Sequence, residues 1–317
     1  MTFPLYPPEA SRVAQQTDYL YWGLLCISAA VLLVVFVPMT YFLMKYRRGR
    51  KADRTPLELP EIKMEITWTI IPIVVFTGLF AWGANVYWTI KRPPPDAMEI
   101  NVVGKQWMWK IEHPEGNREI DELHVPLGRD IKLTITSQDV IHSFFLPAFR
   151  IKQDAVPGRY STLWFKADRL GTFHLFCSEY CGTHHSAMTG RVIVMTPAAY
   201  QDWLTRGAPG PTLAQQGAQL FRQFGCSGCH VNSTTVHAPP LEGVFGKPVP
   251  LQTGRIVTAD AAYIRDSILR PSKDIAAGYT NDMPSFQGHL SEDQLLRLIA
   301  YIKSLGSAAP NETKGGQ

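Results

Sequence analysis

Two short segments rich in cysteine and histidine carry the residue types best suited to chemistry. The second of them reads Cys226-Ser-Gly-Cys229-His230. A Cys-x-x-Cys-His run is the attachment signature of a c-type haem, because two thiols can form thioether bonds to the porphyrin while the adjacent histidine ligates the iron. The spacing therefore predicts that Cys226, Cys229 and His230 hold a covalent haem.

A second ligand to this iron is expected from the chain that follows the motif. Methionine or histidine takes this position in cytochromes, and Met283, which stands before Pro284, is the methionine available there. His237 and His289 are the competing ligands. We favour Met283, since histidine–methionine ligation gives the raised reduction potential of electron-transfer cytochromes.

The first segment reads Cys177-Ser-Glu-Tyr-Cys181-Gly-Thr-His-His185-Ser-Ala-Met188. Two thiols, an imidazole and a thioether so close together form a soft ligand set that favours copper. The two cysteine pairs of the chain could instead be disulfides, but each pair is followed by histidine, which favours metal binding. Zinc is disfavoured because the cysteine spacing is longer than in a zinc knuckle and because methionine is a poor zinc ligand.

The number of thiolates indicates more than one copper ion. A single blue copper takes one thiolate and two histidines, whereas two thiolates can bridge two ions that each take a terminal histidine. The loop supplies His185, with His184 as a substitute, and His142 is the expected partner from elsewhere in the chain. The fifth cysteine, Cys26, lies in an apolar run and is expected to be a small apolar residue there.

These ligands are positioned by a chain that starts with two long apolar runs. Tyr19–Met44 and Ile66–Ile90 contain 26 and 25 residues without a charge. At 1.5 Å per residue, each run is longer than the ~30 Å hydrocarbon core of a bilayer. A cleaved signal peptide is the alternative for the first run, but the run is too long for one. The sequence predicts membrane spans at about 19–44 and 66–90 within an N-terminal region 1–95.

The loop between the spans, residues 45–65, sets the expected orientation. Cytoplasmic loops carry an excess of lysine and arginine, which makes this loop cytoplasmic and places the N-terminus and everything after residue 91 outside. The expected location is the cell (inner) membrane of a prokaryote. The basic residues at the start of the loop are Lys45, Arg47, Arg48, Arg50, Lys51 and Arg54.

The outer part of the chain changes its pattern twice. Residues 96–200 contain short alternating runs separated by turn residues, which predicts a β-sandwich or barrel. A Pro/Gly-rich linker is expected at 201–212, a helical domain at 213–306 and a flexible tail at 307–317. The predicted helices of that domain are Leu213–Phe224, Ala259–Leu269 and Ser291–Leu305.

Composition excludes several other classes of protein. The 317 residues are 45% hydrophobic and 18% charged, with 31 basic and 27 acidic residues for a net charge of +4. Such a composition is not that of a collagen, a disordered tail protein or a disulfide-dense secreted module. Because the basic excess lies near the membrane, no nucleic-acid-binding face is expected.

Four further segments, together with the loop 177–188, give the chain a family resemblance. They are Gly104-Lys-Gln-Trp107-Met-Trp109, Ile141-His142-Ser143, Asp154-Ala-Val-Pro-Gly-Arg159 and Met64-Glu65-Ile-Thr-Trp68-Thr-Ile-Ile-Pro72. From about residue 17 to 196 the chain resembles cytochrome c oxidase subunit II with its binuclear copper (CuA) domain. The C-terminal domain resembles the cytochrome that is fused to this subunit in haem c-containing, caa-type oxidases.

The resemblance implies a multidomain fold. Its parts are a two-helix transmembrane hairpin, an all-β cupredoxin-like sandwich and an all-α class I cytochrome c domain. The copper ligands that it implies are Cys177 and Cys181 as bridges, His142 and His185 as terminal ligands, and Met188 and the backbone carbonyl of Glu179 as weak axial ligands.

Three further roles follow only from the resemblance. The Glu179 side chain would reach a magnesium ion shared with the catalytic subunit. Trp107 would be the surface tryptophan through which electrons reach copper, and Glu65 would lie at the cytoplasmic mouth of a proton-uptake path. Without the family, Trp107 is interpreted as a core aromatic of a strand and Glu65 as the solvated end of a span.

The function implied is that of the electron-transfer subunit of a respiratory terminal oxidase. Electrons from an external donor (a cytochrome c, a cupredoxin or an upstream complex) would pass through haem c and CuA to catalytic haem-copper subunit I, which reduces O2 and translocates protons. Other oxidase subunits and membrane lipid are the further expected partners. The O2-reducing site is not expected in this chain, because the two apolar runs contain no histidine. The alternatives are the equivalent subunit of a CuA-containing nitric-oxide reductase and, in another class, a copper chaperone or sensor.

Overall fold

Two long helices form the N-terminal part of the computed structural model. Helix α1 spans Arg12–Lys45 and helix α2 spans Glu61–Lys91. Both are long and apolar enough to cross a membrane, and no residue of their most apolar stretches is buried within the protein. Lipid is the expected cover for such surfaces. The structure describes residues 6–53, 55, 60–207, 210–231 and 238–306, so His237 and the predicted tail 307–317 lie outside the described residues.

Helix α1 begins well before residue 19, where the first span was predicted. The Ser11 side chain accepts a hydrogen bond from the backbone N–H of Ala14 and caps the helix. Val13 packs into the core of the outer domain, and the Asp18 carboxylate pairs with the Arg150 guanidinium at 2.9 Å. The first two turns of α1 therefore belong to the outer domain and fix it on the helical hairpin.

Ten strands between residues 98 and 195 form a β-sandwich, as predicted. They are β1 (Met98–Lys105), β2 (Met108–Glu112), β3 (Arg118–Ile120), β4 (Glu122–Pro126), β5 (Asp130–Ser137), β6 (His142–Leu146), β7 (Ile151–Ala155), β8 (Ser161–Lys166), β9 (Gly171–Cys177) and β10 (Thr189–Met195). One sheet, here the β1 sheet, has the order β3-β2-β1-β5-β8, and the other, the β6 sheet, has the order β4-β10-β9-β6-β7. Side chains from both sheets, among them Trp109, Phe144 and Phe165, are fully buried between them.

A helix that the sequence did not indicate follows the last strand. Helix α3 spans Pro197–Arg206, with Thr196 as its capping residue and proline at its first position. Trp203 stacks on the ring of His124, and this contact holds the helix against the sandwich. Half of the segment predicted as a linker, 201–212, is therefore helical and packed.

The described part of the C-terminal domain is mainly helical. Its elements are α4 (Leu213–Gln223), α5 (Ser227–His230), the hairpin strands β11 (Pro248–Pro250) and β12 (Ile256–Thr258), α6 (Ala261–Leu269) and α7 (Glu292–Ser304). Helices α4, α6 and α7 match the three predicted helices to within two residues at each end, which confirms the helical class of this domain.

Helices α4 and α7 cross in close contact and organise the C-terminal domain. Both begin with a capping box, formed by Thr212 with Gln215 and by Ser291 with Gln294. The crossing lies at Gly217, where a Cβ atom would stand 2.0 Å from the carbonyl oxygen of Arg297. A residue without a side chain is required there, and the apolar faces of both helices then close around a common core.

Candidate metal centres

The register of the β6 sheet brings the first cysteine–histidine segment to His142. Strand β9 ends at Cys177 and pairs with β6, where Cys177 stands opposite Phe144. Both ends of the loop between β9 and β10 are pinned there, because the N–H of Ser178 donates to the carbonyl of Ser143 at 3.0 Å. The N–H of Cys177 donates in turn to the carbonyl of Met188 at 3.1 Å. Residues distant in sequence are therefore fixed at one end of the sandwich.

The predicted copper ligands converge at this point. The two sulfur atoms of Cys177 and Cys181 lie 3.8 Å apart, too far for a disulfide bond of about 2.05 Å. The buried ligand atoms of His142, Cys177 and Cys181 all lie within 4.8 Å of one another. The remaining sulfur contacts are Cys177 Sγ to His142 Nδ1 at 4.0 Å, Cys181 Sγ to His185 Nδ1 at 3.5 Å, Cys181 Sγ to Met188 Sδ at 3.8 Å and Cys177 Sγ to the carbonyl oxygen of Glu179 at 3.3 Å.

This donor set fits copper. Its nitrogen and sulfur atoms are soft ligands, and the exposed fractions of Cys177, Cys181 and Met188 are only 8%, 3% and 1%. Such an environment excludes most water and limits solvent reorganisation around a bound ion. The residues present would hold copper through the two thiolates, the two imidazoles and the thioether.

Asp139 orients His142, a role that was not predicted from the sequence. The Asp139 carboxylate lies 2.9 Å from His142 Nε2, so the opposite ring nitrogen, Nδ1, faces the thiols. A carboxylate on the far nitrogen of a ligating histidine is a common support of metal sites. The signal was present in the sequence, since Asp139 stands three residues before His142, but only the turn before β6 brings the two side chains together.

The two thiols differ in acidity. Burial alone would raise the pKa of Cys177, but hydrogen bonds to His142 and to the neighbouring backbone outweigh burial and lower it to about 6. Burial and the adjacent charge of Cys177 raise the pKa of Cys181 to about 12. The metal-free pair therefore holds one thiolate and one thiol at neutral pH.

Trp107 directly contacts the loop 177–188, which carries most of the predicted copper ligands and is here called the copper loop. It lies in the turn between β1 and β2, and its indole N–H donates to the carbonyl of Cys181 at 3.2 Å. Its ring makes an edge contact with His184, with centroids 4.7 Å apart. His184 is thus turned toward Trp107, while His185 faces the sulfur of Cys181. The core aromatic of the strand is Trp109, which is fully buried, and not Trp107.

Glu179 lies beside the predicted copper ligands, whereas Glu65 lies on helix α2. The carbonyl of Glu179 lies at the copper ligands, while its side chain is exposed beside Tyr180, whose exposed fraction is 77%. Glu65 lies in the second turn of α2 and is exposed. From there to Lys91, where α2 ends and the chain enters the sandwich, the helix rises about 39 Å. Glu65 is therefore far from the copper ligands.

The second cysteine–histidine segment lines an apolar pocket. Cys226 directly precedes α5, which contains Cys229 and His230. Two adjoining cavities share Cys226, His230 and Met283 among their lining residues. The other walls are mainly apolar and include Tyr263, Phe286, Leu298 and Ile302. A pocket with thiols, an imidazole and a thioether on largely apolar walls fits a porphyrin.

One hydrogen bond shows that Nδ1 of the His230 ring carries a proton. Its Nδ1 lies 3.0 Å from the carbonyl oxygen of Pro239. Because a carbonyl only accepts hydrogen bonds, Nδ1 must carry the proton, which leaves Nε2 as the nitrogen available to iron. Of the competing ligands, His289 is exposed and does not line the two cavities as described, whereas Met283 does.

A separate histidine cluster has a structural explanation. His113 is fully buried, and its two ring nitrogens contact Glu119 at 2.7 Å and the Tyr200 hydroxyl at 3.0 Å. Glu119 also bonds His124. This group joins β2, β3 and β4 to helix α3.

The fold and the two ligand sets define a class of membrane proteins that carry a cupredoxin-like sandwich and a helical cytochrome c domain on one chain. Three family profiles match. Cytochrome C oxidase subunit II, transmembrane domain, matches residues 4–82, and its periplasmic domain matches residues 116–196. Cytochrome c matches residues 214–306.

Relatives named cytochrome c oxidase subunit 2 match most of the chain. That of Alkalihalophilus pseudofirmus is 32% identical over 302 residues, covering 88% of this chain and 84% of the relative. That of Thermostichus vulcanus is 32% identical over 254 residues, covering 63% and 77%, and that of Cereibacter sphaeroides is 31% identical over 245 residues, covering 65% and 80%. The chain belongs to the cytochrome c oxidase subunit 2 family, and it is a membrane protein with a periplasmic domain.

Solved structures were also matched. The periplasmic domain of subunit II of cytochrome oxidase of Bradyrhizobium japonicum is 32% identical, with a TM-score of 0.36, and covers 37% of this chain and 96% of that one. A heme-copper terminal oxidase dimer solved by cryo-EM contains a chain that is 23% identical, with a TM-score of 0.34, and covers 43% and 100%.

Proposed function

We propose that this chain is the subunit through which electrons reach a respiratory terminal oxidase. The C-terminal domain would hold a haem c and the sandwich a binuclear copper centre, and together these groups would supply one-electron transfer from an external donor to a catalytic haem-copper subunit. The observation that carries the proposal is the convergence of the buried donors around Cys177 and Cys181, together with a haem-attachment motif on the same chain.

The chain's own residues give the copper site its stability. Cys177 is fixed by the pairing of β9 with β6, and the sulfur of Cys181 in the following loop lies 3.8 Å from it, so both thiolates could contact the same ions. His142 is oriented by Asp139 and His185 by the loop. Two copper ions in this set would supply a one-electron carrier that changes little in structure between its two states.

The C-terminal pocket has the corresponding parts for haem. Cys226 and Cys229 would attach the porphyrin edge, the carbonyl of Pro239 accepts a hydrogen bond from Nδ1 of His230 and leaves Nε2 as the nitrogen for iron, and Met283 would complete the ligand set. A haem with this ligation supplies a one-electron carrier of raised potential. The apolar walls around Phe286 and Leu298 exclude water from the pocket.

The membrane arrangement completes the proposal. The basic loop 45–65 is cytoplasmic, both redox domains face the periplasm of a prokaryotic inner membrane, and the exposed apolar surfaces of α1 and α2 contact lipid and catalytic subunit I. In this arrangement Glu179 contributes to a shared magnesium site, Trp107 carries electrons to the copper loop and Glu65 lies near a cytoplasmic proton path. Each of these three roles rests on the family resemblance.

Metal analysis of the purified complex tests the proposal. We expect two copper ions and one iron per copy of this chain, with an electron paramagnetic resonance signal shared by both coppers. One copper, zinc in its place, or a Cys177–Cys181 disulfide in the fully loaded protein would contradict it. Comparing turnover with O2 and with nitric oxide distinguishes an oxidase from a nitric-oxide reductase. Copper that stays bound and exchanges electrons rapidly with the haem would argue against a copper chaperone.

A further inference from the structure

The C-terminal domain lies on the outer face of the β1 sheet, with α7 along the strands. Among the described residues, three ion pairs join the two domains. Asp293 in the first turn of α7 pairs with Lys110 of β2 at 3.1 Å. Arg297, one turn further, pairs with Glu112 at 3.2 Å, and Lys303 in the last turn pairs with Glu99.

The order of charges specifies one orientation. From the start to the end of α7 the helix presents an acid, a base and a base, and the sandwich presents a base, an acid and an acid. Sliding α7 by a turn or reversing it would place like charges together, which disfavours the alternatives. Glu112 and Glu99 also pair with Arg118 and Lys132 of the sandwich, so contacts within the sandwich orient both acids.

This orientation directs the first turn of α7 toward the copper ligands. The ammonium group of Lys110, which pairs with Asp293, also donates to the side chain of Gln138 at 3.1 Å. Gln138 is the neighbour of Asp139, whose carboxylate holds His142. The start of α7 is therefore joined to a predicted copper ligand through a short series of side chains, whereas the end of α7 lies at the far end of the strand.

Tyr160 provides an apolar contact beside the ion pairs. It belongs to the connection between β7 and β8, yet it packs against the core of the C-terminal domain. Its ring lies 5.9 Å from the guanidinium carbon of Arg265. Arg265 is itself buried and paired with Glu292, the first residue of α7. The Tyr160 ring thus covers the buried ion pair of Arg265 and Glu292. The cation–π contact between the guanidinium group and the ring stabilises this packing.

The link between the domains is short. Between the end of α3 at Arg206 and the start of α4 at Leu213 stand six residues, whose reach is about 20 Å when fully extended. Arg118 also donates to Gln216 of α4 at 2.5 Å. Because such a linker holds the partners at an effective concentration on the order of millimolar, even modest contacts keep the domains together.

We propose that the C-terminal domain is held in one fixed position on the β1 sheet, with Lys110 and Tyr160 as positioning residues. The electron then crosses without a swinging motion of the domain. Only the electron-transfer readout rests on the proposed function; the fixed position itself does not. The face formed by Glu99, Lys110, Glu112 and Tyr160 is here called the docking face.

Linker proteolysis of the full chain in its complex reports docking without any redox chemistry. Trypsin cleavage after Arg206, the last residue of α3, should be faster when the C-terminal domain is not held on the sandwich. We expect Lys110→Asp to raise the cleavage rate roughly fivefold, since an attractive pair becomes repulsive, and Asp293→Lys to do the same. The double variant, which restores an opposite pair, should return to the rate of the unmodified protein.

Two controls make the comparison specific. Arg191→Asp removes an exposed ion pair with Glu122 on the other sheet and should leave cleavage unchanged. Tyr160→Phe keeps the ring and should behave as the unmodified protein, whereas Tyr160→Ala should cleave faster. If a variant does not fold, high salt applied to the unmodified protein provides the same test, because it should accelerate cleavage by screening the ion pairs.

Flash reduction of the haem gives the second readout. One electron leaves the reduced haem and reduces the copper centre, with no other reactant. In a fixed complex the rate of this step is independent of solvent viscosity, and it should become viscosity-dependent in Lys110→Asp. Cleavage that neither charge reversal nor salt changes, or a viscosity-dependent rate in the unmodified protein, would overturn the fixed position. If proteolysis responds as expected but no electron passes, docking stands and the proposed function fails.

Discussion

The copper loop and the haem pocket position the residues for their predicted redox groups in different ways. At the copper loop, Cys177 and His142 are brought together by strand pairing, and their donor atoms and that of Cys181 already lie within 4.8 Å of one another in the protein alone. In the C-terminal domain, the ligands lie on the four-residue helix α5 and on an irregular segment at Met283.

The difference shows how the size of the group determines the design. A small ion needs only a few atoms at a fixed spacing, which two paired strands supply, whereas a macrocycle needs a large apolar wall. Without the haem that fills the pocket, the apolar side chains of such a wall lose their packing partner. We therefore expect the sandwich to be a preformed site and the C-terminal domain to depend on its haem.

Loss of one bridging thiol should have the largest effect. Cys181→Ser removes a sulfur proposed to bridge the two coppers, so we expect the proposed binuclear centre to be lost entirely, while the haem remains. Copper and iron contents per chain measure both together. Cys26→Ser, which changes an exposed cysteine of α1, is the matched control and should keep both metals. Two coppers retained in Cys181→Ser would refute the bridging role.

Removal of haem attachment should be nearly as severe, but only in its own domain. In the double variant Cys226→Ser, Cys229→Ser we expect amide hydrogen exchange in α6 and α7 to accelerate roughly 100-fold, because a ligand bound only by the folded state no longer stabilises it. Exchange in β1 and β5 should stay unchanged. The converse variant, Cys177→Ser with Cys181→Ser, should leave exchange in α6 unaltered.

Replacement of Met283, the predicted second haem ligand, tests the pocket more finely. Met283→Ala should lower the reduction potential of the haem by on the order of 0.1 V, because the thioether favours the reduced iron. Spectroelectrochemical titration measures this shift. His289→Ala, at an exposed residue, is the control, and an unchanged potential in Met283→Ala would show that another residue ligates the iron.

Local patterns in the sequence were sufficient for much of this organisation. The capping signals at Ser291 and the apolar periodicity after it predicted α7, and the spacing of Cys226 and Cys229 predicted the haem motif. Helix α3 was missed although Thr196 and Pro197 are local start signals, because the packing of Trp203 on His124 depends on a distant strand. The start of α1 at Arg12 was missed for a similar reason, since the charge of Asp18 is offset by Arg150, 132 residues away.

The same limit applies to the sites. The predicted ligands between Cys177 and Met188 are neighbours in sequence and could be proposed from their spacing, but Asp139 contacts His142 only once the turn before β6 forms. The docking face could not be predicted from the sequence for a similar reason. Lys110 and Asp293 are 183 residues apart, and nothing local in either segment indicates the pairing.

The smallest expected effect is the pH dependence of copper uptake. Because the folded pKa of Cys177 is lowered to about 6 and that of Cys181 is raised to about 12, copper binding at neutral pH must displace at least the Cys181 proton. Copper affinity should therefore rise with pH, by at least tenfold per unit between pH 7 and 8. Competition with a chelator of known proton affinity measures the slope. A flat affinity over this range would mean that both thiols are already ionised, and that the two cysteines are less different than their surroundings predict.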